Sequence, residues 1–358
     1  MSAWGGGDRT GKGEPSARVA QPRAHPSPGD VLAAVIVYVP HLHGYFTNRL
    51  AVVRLCLDSL IRHKPRETSL LVFDNGSCSE AQLLVADLVD GGHVDLLLRS
   101  RSNIGTPAAL RMILGLGLRP FIAYGDDDVF YYPGWLEAQL AVLSTFPAAG
   151  MVSGVPTLGG ADHALDATLR AARADRSIHV DPQARIPEAW EADWALSTGR
   201  EIEEQTTLAR ETPVVRLERE GLQAFAGASH FQYVGPADEL SACIPAQWPD
   251  SLMGDMRDLD KAIDHRGRMR LSTVGRFIRH MGNAVAEGLR REATELGFNV
   301  AAALQPPRVT RLESRLERSR WVHGKIWVTY RRIGRLLDGE AIVPDSVAEA
   351  SRLKVGEP

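Results

Sequence analysis

FIAYGDDDVFYYPGWLEAQLAVLSTF, residues 121–146, passes from a short apolar run through three aspartates into a helix-like stretch. The order strand, polar turn, helix is the unit from which parallel sheets are built. The same order surrounds it. VLAAVIVYV (31–39) is apolar throughout, as expected of a strand covered on both faces. TNRLAVVRLCLDSLIRH (47–63) places Leu50, Val53, Leu57, Leu60 and Ile61 on one helical stripe, with Thr47 or Asn48 as its cap. SLLVFDNGS reads as a buried strand ending in a turn, SEAQLLVADLV as a helix and VDLLLRS as a strand. In NIGTPAALRMILGL, Thr106 at the N-cap and Pro107 at the first helical position start another helix. GMVSGVP then supplies a fifth strand. The alternation predicts an α/β fold: a mostly parallel, Rossmann-like sheet with helices on both faces. In such sheets ligands gather outside the carboxyl ends of the strands.

Composition fits this. The chain has 358 residues, 44% hydrophobic and 24% charged, enough for one large or two smaller domains. A net charge of -3 gives no reason to expect nucleic-acid binding. Three scattered cysteines, Cys56, Cys78 and Cys243, offer neither a disulfide framework nor a zinc spacing and suit a reducing cytoplasm. The longest apolar run, Val31–Val39, is about half a membrane span. Residues 1–30 are rich in Gly, Pro, Ser and Arg and read as a disordered tail without a signal-peptide core. From 158 to 235 the pattern loosens, with few clear strands. The basic aromatic stretch Arg311–Leu337 reads in two ways: as a helix docking on an anionic membrane surface, or as one packing back on the catalytic part.

Four polar clusters carry chemistry. Asp126, Asp127 and Asp128 repel one another at a strand end, a cost that a hard cation relieves; the bland alternative is a solvated acidic turn. Asp74 and Asn75 begin DNGS, where an Asp can receive hydrogen bonds from a nucleotide and Gly76 allows a tight turn, or where an ordinary Asx turn stands. Asn103 and Gly105 lie at a helix start whose free N–H groups suit a phosphate, with Arg111 a turn beyond; a plain capped helix is the alternative. In GDMRDLDKAIDHRG, Asp255 and Asp258 are three apart and share a helix face, and His280 is a metal ligand only if the fold brings it to Asp126 and Asp128.

Taken together these residues resemble the family-2 inverting glycosyltransferases of the GT-A fold, well over 31–160 and more weakly over 230–283. YGDDDVFYYPGWLE (124–137) is the most specific part. The resemblance implies a nucleoside-diphosphate sugar donor whose nucleotide meets Asp74 and Asn75, with Asn103, Gly105, Arg111, Asp126 and Asp127 on the donor and Val39 and Pro40 nearest the first-strand turn. It implies Mg²⁺ or Mn²⁺ on Asp126, Asp128 and His280, the last from His280–Met281–Gly282. It implies a base at Asp255, where the family carries glutamate, or at Asp258, with Met256 replacing the second residue of the family's acidic pair. The expected organisation is a tail (1–30), a donor half (31–160), an acceptor and catalytic half (161–290) and a helical C-terminal extension (291–358). The expected partners are the donor and a carbohydrate, lipid-linked or polysaccharide acceptor, at a cytoplasmic location that the C-terminal helix can make peripheral to the membrane. Competing readings are a nucleotidyltransferase, disfavoured because PHLHGYF after the first strand is no Gly-rich phosphate loop, and a non-catalytic binding protein of the same fold.

Overall fold

The computed structural model describes residues 25–244 and 256–300. The strands are β1 (Val31–Val37), β2 (Ser69–Asn75), β3 (Leu96–Ser100), β4 (Phe121–Asp126), β5 (Val129–Tyr131), β6 (Ala149–Ser153), β7 (His179–Ala184), β8 (Val214–Arg219), β9 (Leu222–Ala226), β10 (Gln232–Pro236), β11 (Met269–Thr273) and β12 (Ile278–His280). The helices are α1 (Arg49–His63), α2 (Ser79–Asp90), α3 (Thr106–Gly115), α4 (Trp135–Thr145), α5 (Leu158–Ala161), α6 (Asp166–Ala174), α7 (Glu188–Thr198), α8 (Ile202–Glu211), α9 (Ala237–Cys243), α10 (Met256–His265) and α11 (Glu287–Glu295).

Ten strands form one sheet in the order β3-β2-β1-β4-β10-β6-β11-β9-β8-β7. β3, β2, β1 and β4 pair in parallel; β10 is antiparallel to both β4 and β6; β11 is parallel to β6, and β9, β8 and β7 follow antiparallel. Seven strands thus run one way and β10, β9 and β7 the other, a mostly parallel α/β sheet. β10 comes from the second half of the chain yet lies between β4 and β6, so the two halves share one sheet.

Every residue of β1 is buried, and alternate side chains feed two cores. Ala33, Val35 and Val37 pack with Val52, Val53, Cys56 and Leu60 of α1 and with Trp135 and Leu136 of α4. Leu32, Ala34 and Ile36 pack with Ala109, Leu110 and Ile113 of α3 and with Leu259 and Ile263 of α10. Period-two alternation on a strand covered on both faces produces this division, and each fully buried aliphatic side chain contributes roughly 1.5–3 kcal/mol.

Three local expectations change. α3 begins at Thr106 with Gly105 at its N-cap (φ +80°), so Pro107 falls one residue deeper than a Thr cap would place it. The 158–235 stretch, expected to hold few strands, supplies β7, β8 and β9. Their short, charged and half-exposed sequences hide the pattern, since HVDPQA and VVRLER bury only scattered positions. Pro28–Asp30, within the expected disordered tail, forms a turn in which Asp30 Oδ2 accepts from Ser27, and Pro28 O accepts from Thr68 Oγ1 at 3.0 Å. The rest of that tail, and Arg311–Leu337 with the extension beyond 300, lie outside the described residues. Among the described residues no helix is long and apolar enough to cross a membrane.

Candidate active site

The polar clusters meet at the carboxyl edge of the parallel strands. Register pairs Val37 with Asp74, Ile36 with Asp126 and Asp74 with Arg99, so the ends of β1, β2, β3 and β4 stand in one row.

The aspartate triplet divides between the two faces of this edge. Asp126 lies two residues beyond Tyr124 and on the same side of the strand, where it accepts the Tyr124 hydroxyl at 2.6 Å. The turn into β5 swings Asp127 and Asp128 the other way, onto Arg49 in the first turn of α1. Arg49 donates to Asp127, to Asp128 at 3.0 Å and to the Gly282 carbonyl at 2.9 Å. Asp127 also accepts the Tyr38 backbone N–H at 3.0 Å. Sequence reasoning missed Arg49. Its signal was position, because it extends the buried stripe Val53, Cys56 and Leu60 upward by one turn and is itself buried.

Charge at the site is unbalanced. Burial, then the neighbouring Asp128 and Asp127, push the Asp126 carboxyl up to about 8. Burial also raises Asp127, against the pull of Arg49. Burial works against charge on Asp128 too, but the charge that a protonated His280 would bring, and the charge and hydrogen bond of Arg49, which persist when that ring is neutral, pull the carboxyl down. Burial would weaken the Arg49 cation, yet Asp127 and Asp128 raise its affinity for the proton, so it stays charged. Asp127 and Asp128 therefore share one fixed cation, with the raised Asp126 carboxyl close by on the other face.

His280 completes this side. β12 pairs antiparallel with β5, setting His280 opposite Val129, while the Met281 N–H donates to the Asp128 carbonyl at 2.8 Å. His280 Nε2 stands 3.5 Å from Asp128 Oδ1, a buried oxygen with no hydrogen-bond partner. The other ring nitrogen, Nδ1, lies 2.8 Å from the Ser197 hydroxyl of α7. Burial pushes His280 below its ordinary value, which favours the neutral ring and a lone pair for coordination. Gly282 follows with φ +66°, and a Cβ there would strike the Ser197 carbonyl, so the turn that brings Gly282 O to Arg49 needs glycine.

An orphaned carboxylate oxygen facing an imidazole nitrogen fits a divalent cation. Among the described residues no group of three or more His, Cys, Asp and Glu is arranged to hold a metal alone. A cation here would need further oxygens, and a diphosphate has them.

At the end of β2, Asp74 is buried; it accepts the Ser77 N–H at 2.9 Å, and its other oxygen faces Arg99 Nε at 2.9 Å. Asn75 joins the two loops: its amide donates to Asn103 Oδ1 at 2.9 Å and its Oδ1 accepts the Ile104 N–H at 2.9 Å. Asn103 Oδ1 also accepts the Gly105 N–H at 2.8 Å. Gly76 has φ +80°, and a Cβ would come within 2.6–2.8 Å of the Ser102 and Asn103 backbone. DNGS and NIG are thus one interlocked unit. Val39 is buried and its backbone is committed to the same unit, donating to Ser77 Oγ at 3.2 Å and accepting from Cys78 N at 2.7 Å. Pro40 beside it is half-buried, and Arg111 is exposed on α3.

α10 departs from expectation. Asp255 lies outside the described residues. Asp258 is part-exposed and pairs with Lys261 at 3.2 Å. The buried face of α10 carries Leu259, Asp260, Ile263 and Asp264. Asp260, which sequence reasoning passed over, is fully buried against Arg270, His163 and His230. The signal was present, as two aspartates four apart on a stripe otherwise filled by Leu and Ile. Trp194 stacks on Phe231 with centroids 5.2 Å apart and tilts over His280 at 4.9 Å, so it anchors α7 to Phe231 and His280.

The family model described as Glycosyl transferase family 2 matches residues 45–176. No curated protein sequence matches the chain. Among solved structures it is similar to the mannosyltransferase PcManGT from Pyrobaculum calidifontis in complex with GDP-Man and Mn²⁺, at 14% identity and a TM-score of 0.41 over 90% of this chain and 79% of that one. It is similar to glucosyl-3-phosphoglycerate synthase from Mycobacterium tuberculosis with Mn²⁺, UDP and glucosyl-3-phosphoglycerate, at 13% identity and a TM-score of 0.39 over 76% and 78% of the two chains. Its match to S. aureus TarS with UDP-GlcNAc, at 15% identity and a TM-score of 0.29, spans 36% of this chain and about a third (35%) of that one. Likenesses this distant speak to neither site nor substrate. The family match does bear on the site, because its span includes DNGS, NIG and the aspartate triplet. Over residues 45–176 the chain is therefore similar to glycosyl transferase family 2.

Proposed function

We propose that the protein transfers a sugar from a nucleoside-diphosphate donor to an acceptor hydroxyl, with inversion at the anomeric carbon. The observation that carries this is the juxtaposition of Asp128 Oδ1 and His280 Nε2 at the carboxyl edge. Asp74 and the Asn75–Asn103 unit stand on the same edge, where the nucleotide would lie. Asp128 and His280 hold Mg²⁺ or Mn²⁺, and when bound the cation neutralises charge developing on the departing diphosphate. Asp126, on the Tyr124 face, contacts the donor rather than joining that pair. Arg49 keeps Asp127 and Asp128 in place through two charge-assisted contacts. Asp255, immediately before α10, removes the proton from the acceptor hydroxyl, with Asp258 as its alternative. The acceptor is a carbohydrate, free, lipid-linked or within a polysaccharide, and a basic C-terminal stretch at Arg311–Leu337 suits one held at a membrane surface.

Thermal-shift screening of UDP-, GDP- and dTDP-sugars with Mn²⁺ tests the reading. One nucleotide class should stabilise the wild-type protein in a metal-dependent way, Asp128→Ala should abolish that stabilisation, and turnover should release nucleoside diphosphate. Release of pyrophosphate would instead mark a nucleotidyltransferase, and stabilisation that persists in Asp128→Ala would remove the metal from the account.

A further inference from the structure

His280 reaches the site on β12, but its ring is held from the far side by α7, a helix to which the proposed reaction gives no role. Three residues on one face of α7 grip β12 and its entry. Asp193 pairs with Arg276 and, at 2.6 Å, with Arg279. Trp194 tilts over the His280 ring, and Ser197 Oγ meets its Nδ1 at 2.8 Å. The helix backbone is fixed there as well, because the Ser197 carbonyl lies where a Cβ on Gly282 would stand.

Counting protons settles which way the Ser197–His280 contact runs. A serine hydroxyl has one hydrogen to give. Ser197 Oγ gives it to the Trp194 carbonyl at 2.9 Å, an oxygen that can only accept and that also takes Thr198 Oγ1 at 2.8 Å. Oγ is left with lone pairs, so the ring donates to it through Nδ1–H. A neutral imidazole has a single N–H, and Nε2 therefore keeps its lone pair. That lone pair faces Asp128 Oδ1 across 3.5 Å, and this carboxylate oxygen is buried without a hydrogen-bond partner. In the other tautomer an Nε2–H would point at the same oxygen and draw the two atoms to about 2.9 Å. Two electron-rich atoms face one another instead, an arrangement that a divalent cation relieves.

We propose that Ser197 is a positioning residue: it holds the His280 proton on Nδ1 and so keeps the Nε2 lone pair turned to the cation that His280 and Asp128 share. This rests on the metal-dependent reading of the site and adds to it the residue that makes His280 a ligand rather than a hydrogen-bond donor. Ser197 selects between two neutral tautomers and titrates nothing itself.

Nitrogen-15 NMR of the imidazole rings at about pH 8, above the ordinary histidine range, reads the tautomer without metal. Loss of one ring's signals in His280→Ala identifies the ring. In the wild type the proton should sit on Nδ1, against the Nε2–H form that histidine prefers in water. Ser197→Ala should move the ring toward Nε2–H and weaken Mn²⁺ binding in the presence of UDP or GDP about tenfold. Ser197→Thr returns a hydroxyl and should recover both readings together, a link that a purely structural role would not make. The wild-type spectrum decides even if a variant does not fold. A wild-type His280 with its proton on Nε2, or a folded Ser197→Ala that keeps both the tautomer and the Mn²⁺ affinity, would overturn the proposal and leave the glycosyltransferase reading standing. A wild type with the proton on Nδ1 that binds no Mn²⁺ with either nucleotide would sink the metal reading, and this proposal with it.

Discussion

Two buried arginine–carboxylate centres stand at one sheet edge and are balanced in opposite ways. Around Arg49 two aspartates, Asp127 and Asp128, share one guanidinium, and a buried oxygen of Asp128 has no hydrogen-bond partner. Around Asp260 a single carboxylate receives one guanidinium and two imidazoles, all on Oδ2, while its Oδ1 is likewise buried without a hydrogen-bond partner. The first centre is short of positive charge and improves when a cation arrives. The second has its charge met within the protein and serves as a fixed anchor. Burial costs both; composition decides which is poised for a ligand.

The largest expected effect breaks the anchor. Arg270→Met leaves Asp260 buried without its guanidinium and should cost about 3–5 kcal/mol in urea unfolding, with no recovery on adding Mn²⁺. Arg49→Met should cost less, about 2–3 kcal/mol, and millimolar Mn²⁺ should restore part of it, because a divalent cation can take over the compensation. Equal Mn²⁺ responses in the two variants would erase the contrast.

Acid should then probe the anchor in the intact protein. Burial alone would raise Asp260, but the hydrogen bonds from His163 and His230 and the charge of Arg270 outweigh it and hold the carboxyl at about 2, against 3.8 unperturbed. Its stabilisation is complete above pH 4 and is lost as pH falls through 2, about 2 kcal/mol in all. Asp260→Asn should flatten the stability–pH curve in that window. Smallest of all, Arg54→Ala removes an exposed ion pair between Arg54 and Asp58 and should change stability by roughly 0.3–0.5 kcal/mol. A larger effect would mean that surface pairs on α1 matter more than burial predicts.

How legible these features were in the sequence follows the same division. β1, β2 and β4 announce themselves because both their faces are covered and their apolar runs are unbroken. β7 and β8 do not, since strands at the sheet's far end bury only alternate or scattered residues and carry charge on the rest. β5 and β12 are three residues each and pair only with one another, a contact between residues about 150 apart that no local pattern encodes. That pairing is what brings His280 to Asp128, so the family's motifs supplied the pair and the hairpin-like contact supplied the reason. Arg49 and Asp260 are polar residues on apolar helical stripes, and a search for hydrophobic periodicity passes over them. Asp258 drew attention instead because it lies three residues from Asp255, yet the face that α10 buries carries Asp260 and Asp264.

The most direct test of the central claim is calorimetric titration of Mn²⁺ into the protein in the presence of UDP or GDP. The wild type should bind the ion only with nucleoside diphosphate present, and Asp128→Ala and His280→Ala should each weaken binding by about 10- to 100-fold. Undiminished Mn²⁺ binding in both variants would show that the ion, if it serves this protein, sits elsewhere.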